Sequence, residues 1–348
     1  MARRFAALVI AATMGIATAR ADPPRVATDV APVHSLAAQV MEGVGKPKLL
    51  IRQGASPHGY SLRPSEAQAL QDADLVFWVS EGLTPWFERS RQSLAPDAQS
   101  IELLASDATR VHAYREGPRF SDDTTEASSD HAGDDEFGHS EHDHRHDHGH
   151  DHGQSHGAGD QSQQPDAQGG DHGSGHAHSG KDPHAWLDPH NAKAWLDLIA
   201  ARLAEADPAN APTYKANARA GKAAIDEAVQ EVDTLLEPVR AERYVVFHDA
   251  YQYYERAFDI PAAGAISLGD ASDPSAARVE AARDLVAGRG VSCVYAEPQY
   301  NPGLVATVLD GTKAGTAVID PLGTELELGP SFYPALLRDL GRRMAACF

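Results

Sequence analysis

Pro212 to Leu236, PTYKANARAGKAAIDEAVQEVDTLL, is the stretch that decides the architecture. Ile225, Val229, Val232 and Leu236 recur at three- and four-residue spacing, which predicts one amphipathic helix. Twenty-five residues make a rod about 37 Å long. Such a rod can join two domains without a flexible linker.

Both sides of the rod carry the same pattern. Before it, the apolar runs Arg25–Val33, Lys48–Arg52, Asp74–Ser80 and Ser100–Leu104 read as strands. They alternate with helices over His34–Glu42, from Pro64, and over Leu83–Leu94; Asp188 and Pro189 then cap a helix running to Leu203. After the rod come strands Tyr244–His248, Ala263–Ser267, Val291–Glu297 and Thr316–Asp320. The helices between and after them are Tyr251–Phe258, Pro274–Val286, one from Pro302, and one from Tyr333 to the end. Strands alternating with helices predict an α/β fold, two parallel-sheet domains joined by a long rigid helix. The expected divisions are an N-terminal domain over 22–207, the linking helix over 208–238 and a C-terminal domain over 239–348.

Residues 1–21, MARRFAALVIAATMGIATARA, have the basic start, apolar run and small-residue end of a signal peptide, so the mature chain is expected to begin near Asp22 outside the cytoplasm. No segment approaches eighteen uninterrupted apolar residues, which argues against a membrane span. A formal net charge of -20 makes nucleic acid an unfavourable partner. Much of that charge is local: Phe120 to Pro183 holds fifteen Asp and Glu against Arg145 and Lys181. The two cysteines, Cys293 and Cys347, suit an oxidising compartment that would let them pair. Two buried thiols or a metal-binding pair are the alternatives.

The acidic insertion, 113–183, interrupts the first domain with a His- and Asp-rich tract. Of eighteen histidines, twelve lie in it: His131, His139, His142, His144, His146, His148, His150, His152, His156, His172, His176 and His178. From His131 to His178 Phe137 is the one large apolar residue, so this tract cannot offset the entropy of ordering its backbone, and a disordered loop is expected. Imidazole-rich composition points to a transition metal; a solvated acidic linker is the plainer reading.

Outside the insertion, His58 lies in a Gly/Pro loop after a strand, His184 follows the fourth strand, and His248 ends strand YVVFH. Ligands of open parallel sheets bind beyond the carboxyl ends of the strands, so these three histidines are expected to converge on the interdomain cleft. Asp320 ends strand TAVID at the same edge, and three His plus one carboxylate make a four-coordinate zinc shell. The opposing reading of Asp320 is a turn-forming Asp-Pro.

Four ordered motifs strengthen this: Gly54 to Pro64, GASPHGYSLRP; His184 to Pro189, HAWLDP; Phe247 to Tyr251, FHDAY; and Ile319 to Gly323, IDPLG. Together with the His-rich insertion they resemble the periplasmic zinc-binding proteins of high-affinity zinc ABC transporters, the ZnuA type, over essentially the whole mature chain. The resemblance implies Zn(II) as the bound ion, His58, His184 and His248 as ligands, Asp320 as an available fourth ligand, and restricted domain motion. A Cys293–Cys347 pair suits the family. It also implies an inner-membrane ABC permease as partner and a monomer that binds without chemistry, the insertion gathering or sensing zinc. His34 is expected near the cleft without a metal bond, and His112 and His190 at the surface. Manganese or another transition metal in the same family, or a secreted metal store or adhesin, is the alternative. A secreted zinc hydrolase would need an open coordination position and a base, and no HExxH, nucleophile elbow or triad is visible.

Overall fold

The computed structural model describes residues 22–115, 117, 119–120, 180–267, 269 and 274–348. The signal-peptide segment and all twelve histidines of the insertion lie outside the described residues.

The first sheet contains β1 (Val26–Thr28), β2 (Lys48–Leu49), β3 (Leu75–Trp78) and β4 (Gln99–Glu102), in the order β2-β1-β3-β4 and parallel throughout. The second contains β5 (Tyr244–His248), β6 (Gly264–Ser267), β7 (Cys293–Ala296) and β8 (Gly315–Val318), in the order β6-β5-β7-β8, again all parallel. β3 reads LVFW and is buried at all four positions, because helices cover both faces of its sheet.

The helices are α1 (Ala31–Val40), α2 (Pro64–Gln71), α3 (Phe87–Leu94), α4 (Pro189–Ala206), α5 (Ala211–Leu236), α6 (Gln252–Phe258), α7 (Ala276–Gly288), α8 (Pro302–Leu309) and α9 (Phe332–Ala345). α4 starts as its sequence predicts: the Asp188 carboxylate accepts the His190 N–H at 2.8 Å, and Pro189 occupies the first turn.

α5 is the expected rod. Tyr214, Ala218, Gly221, Ile225, Ala228, Val232 and Leu236 form its buried seam, with Ala228 rather than Val229 on the inward line. Gly221 has a definite purpose there. A Cβ at that position would stand 2.7 Å from Gln39 Cγ and 3.0 Å from Leu196 Cδ1, so α1 and α4 approach where the rod has no side chain. From the second half, α9 packs Gly341 against Val232 in the same way. One apolar cluster therefore runs from Val26 and Leu36 through Trp195 and Ile225 to Tyr254 and Leu340, and the rod belongs to both halves.

The strand expected over Arg25–Val33 is shorter than its apolar run. It stops at Thr28, and α1 begins at Ala31 with Pro32 in its first turn. Proline there sets a helical φ and gives up an N–H the helix cannot use. The Asp29 carboxylate makes the break, accepting the N–H groups of Val30 and Val79 at 2.7 Å each. The helix expected from Leu83 starts at Phe87 instead, since Leu83 and Thr84 turn back onto Ser80 O ahead of Pro85.

Cys293 and Cys347 form a disulfide that ties the start of β7 to the carboxyl terminus. Among the described residues, no helix is long and apolar enough to cross a membrane.

Candidate metal centre

The residues around the small cavity between the two sheets come from strand ends and from the segments that follow them. Ser56 and Pro57 follow β2, Leu83 follows β3, and His184 and Trp186 follow β4 across the insertion. On the facing side His248 ends β5, Glu297, Gln299 and Tyr300 follow β7, and Pro321 and Leu322 follow β8. The cavity holds about 20 Å³, room for one water or one ion.

His184 and His248 enter it from opposite halves, both almost fully buried, with ring centres 5.3 Å apart. Each ring is held by a carboxylate behind it. His184 Nδ1 lies 2.7 Å from Asp182 Oδ1, and the His184 N–H donates to the same oxygen at 3.0 Å. His248 Nδ1 lies 2.7 Å from Glu297 Oε1, which also accepts the His248 N–H at 3.3 Å. Where the carboxylate is the acceptor, Nδ1 is the donor and Nε2 keeps the lone pair that a metal takes. Burial pushes the Glu297 carboxyl up, while His248 pulls the other way.

The surrounding wall is aromatic and fixed. Trp186 packs 5.3 Å from His184 and donates its Nε1–H to Pro321 O at 2.9 Å, which links the halves directly. Tyr300 stacks on Phe247 at 4.4 Å and stands 5.3 Å from His248.

His58 is half-buried in the 53–59 loop, one residue beyond Pro57, which does line the cavity. That loop is docked at two points: Trp86 Nε1 donates to Pro57 O at 2.7 Å, and Gln53 Nε2 donates to Leu326 O at 2.8 Å. Among the described residues, no three His, Cys, Asp or Glu are grouped to hold a metal ion. The structure thus joins His184 with His248 and leaves His58 beside them. Asp320 is buried and organises its own turn, accepting Gln299 Nε2 and the Leu322 N–H at 2.9 Å on Oδ1 and the Thr324 N–H at 2.6 Å on Oδ2.

The remaining histidines fall elsewhere. His34 is half-buried on α1, where burial lowers its pKa, and is not part of the cavity wall. His190 is exposed. His112, expected at the surface, is half-buried and packs with its ring tilted, 4.7 Å from that of Tyr253. A larger surface opening over α4 and α5 is crossed by the ion pairs Lys193–Asp226 and Lys222–Asp197 and contains none of the motif histidines.

Asp182 and Glu297, which hold the two rings, are residues that reading the sequence passed over. Glu297 closes an expected strand at the sheet edge where ligands gather, and that position was its signal. Asp182 had only its place two residues before His184.

The family model for the periplasmic zinc-uptake complex component A matches residues 26–347. The high-affinity zinc uptake system protein ZnuA of Paracoccus denitrificans (strain Pd 1222) is 41% identical over 347 residues, covering 99% of this chain and 98% of that protein. A crystal structure of ZnuA superposes with a TM-score of 0.66 at 17% identity, over 94% of this chain and 99% of the other. A ZnuA deletion mutant with zinc bound superposes with a TM-score of 0.65 at 17% identity, over 93% and 98%. The fold, the motifs and the extent of the match lead to one conclusion: this chain belongs to the ZnuA family of periplasmic zinc-uptake proteins.

Proposed function

We propose that this protein captures Zn(II) in the periplasm and hands it to an inner-membrane ABC permease, working as a monomer without catalysing a reaction. The observation that carries this reading is the pair of buried imidazoles, His184 and His248, brought from opposite sheets with each Nδ1 held by a carboxylate. Carboxylate–histidine pairs orient the ring and raise its basicity toward a metal. An imidazole-rich set favours zinc over the harder cations, which prefer oxygen.

His58 completes the set when the 53–59 loop swings the one residue that separates it from the cavity wall. Asp320 takes the fourth position, giving up the Gln299 amide to do so. The halves on either side of α5, 22–207 and 239–348, act as the two domains. Because one apolar cluster packs the rod against both, opening is limited to loops and side chains. The twelve histidines of the insertion are accessory and gather zinc weakly; the zinc-bound deletion mutant in the same family supports that division of labour.

Zinc titration against a competing chelator tests the assignment. His58→Ala, His184→Ala and His248→Ala should each abolish tight binding, and deleting 121–179 should spare it. Tight binding retained by all three alanine variants, or lost on deleting the insertion, would overturn the reading. Asp320→Asn should weaken binding less than any histidine variant; an unchanged affinity would give the fourth position to water.

A further inference from the structure

The segment entering the insertion is fastened to the opposite half. Arg110 is held on the first half by Asn191, which accepts its N–H at 2.7 Å and donates to its carbonyl at 2.9 Å. Five residues on, the half-buried Arg115 side chain reaches buried carboxylates of the second half. Its Nε donates to both oxygens of Asp249, at 2.9 and 3.2 Å, and its Nη2 to Asp249 Oδ1. Nη1 and Nη2 reach the two oxygens of Glu255 at 2.6 and 2.9 Å, and the guanidinium lies 3.6 Å over the Phe120 ring. Phe120 in turn donates its N–H to Ala263 O at 3.1 Å.

The segment leaving the insertion pairs with the one entering. Ala113 and Lys181 form an antiparallel bridge, the Tyr114 N–H donates to Gly180 O, and the Asp182 N–H donates to His112 O at 2.8 Å. α6 bolts this two-stranded strap down. Gln252 Nε2 donates to Ala113 O at 3.0 Å, and Tyr253 Oη accepts the His112 N–H while donating to Asp182 O at 2.8 Å.

Both ends of this arrangement stop at the metal centre. Asp249 directly follows His248, and Asp182 holds His184 Nδ1. We propose that Arg115 is a positioning residue for zinc binding, locking the strap to the second half so that His184 and His248 face one another before the ion arrives. Removing two carboxylates and a guanidinium from water costs much of what their attraction returns, so such clusters add little net stability and serve to define geometry. Loss of Arg115 would leave Asp249 and Glu255 buried together and repelling. The β5–α6 turn would shift, and His248 with it. The strap would lose its pin, and Asp182 its fixed place under His184. The proposal rests on the ligand reading given above.

The test uses the mature full-length protein and zinc alone, with three readouts: zinc dissociation constant, melting temperature, and ring nitrogen shifts of His184 and His248 in the zinc-free state. Arg115→Lys keeps the charge and loses the fork. It should weaken zinc binding about tenfold or more, in the range of supporting residues, and give mixed tautomers at His248. Gln252→Leu removes the bonds from α6 to Ala113 O and, at 3.4 Å, to Asp182 Oδ2 without stranding a charge, and should mix the tautomers at His184 with a similar loss of affinity. Zinc affinity within twofold of the parent in both variants, whatever their melting temperatures, would overturn the proposal. His248→Ala separates the two levels of argument. If it loses zinc while the two strap variants keep it, the ligand set stands and the strap role is wrong; if it keeps zinc, the ligand set falls and this proposal falls with it.

Discussion

His248 Nδ1 stands 2.7 Å from Glu297 Oε1, with the carboxylate supplied from just past the neighbouring strand β7 of the same sheet. In the proposed site Glu297 acts through His248 without touching the ion. Glu297→Gln preserves the shape and removes the charge. It should weaken zinc about 10- to 100-fold, with circular dichroism unchanged, and a chelator competition titration reads the difference. An affinity equal to the parent would show that Glu297 only fills space.

Zinc affinity should depend steeply on acidity. Free imidazole titrates near about 6.5, and protons compete with the ion for each ring. Binding should be nearly level above pH 8 and fall below about pH 6.5, with a slope that approaches one proton per ligating histidine. Titrations between pH 5 and 8 check this, and a flat profile would exclude imidazole ligation.

Asp29 predicts a separate effect on stability. Burial pushes its carboxyl up to about 7, against the pull of the Val79 and Val30 N–H groups. An unfolded aspartate titrates near about 3.9. Between those values the native state keeps a proton that the unfolded state has lost, so this contribution is complete below about pH 4 and is lost as pH rises through about 7. Asp29→Asn has no such proton. The difference in unfolding free energy between parent and variant, measured in urea, should therefore shrink from pH 4.5 to 7.5 by a few kcal/mol, on the order set by the shift. A constant difference across that range would count against it.

The disulfide should matter to folding and not to zinc. It closes a separation of 54 residues, worth roughly 4 kcal/mol on a chain-entropy basis. Cys293 begins β7, and the cavity residues lie beyond its other end. The double variant Cys293→Ser and Cys347→Ser should lose stability of about that size and keep its zinc affinity. A fall in affinity would mean that strain passes along β7 to Glu297.

The architecture was legible because its signals are local. β3 is apolar without interruption, α5 carries a seam at helical spacing, and Asp188-Pro189 caps α4 as those residues do in any protein. Val30 to Val33 misled because a short apolar run suits a strand or the inward face of a helix equally, and Asp29 decides between them through Val79, fifty residues away. His184 and His248 could be found from their places after strands. Their carboxylate partners could not be named, because a side chain has no pattern that says which distant ring it will meet. Arg115 was hidden most completely. It sits at the margin of an acidic, loop-like tract, and its partners Asp249 and Glu255 are 134 and 140 residues further on.

The two strand orders, β2-β1-β3-β4 and β6-β5-β7-β8, are one order written twice. In each half the end of the first strand is tied to the end of the third: Val79 donates its N–H to Asp29 in one, and His248 donates to Glu297 in the other. One half uses that junction to stop a strand and start a helix, while the other uses it to fix a histidine ring. Since the cavity is lined from the strand ends and the loops beyond them, its lining can be rewritten at a few positions while the pairing of the two sheets stays as it is.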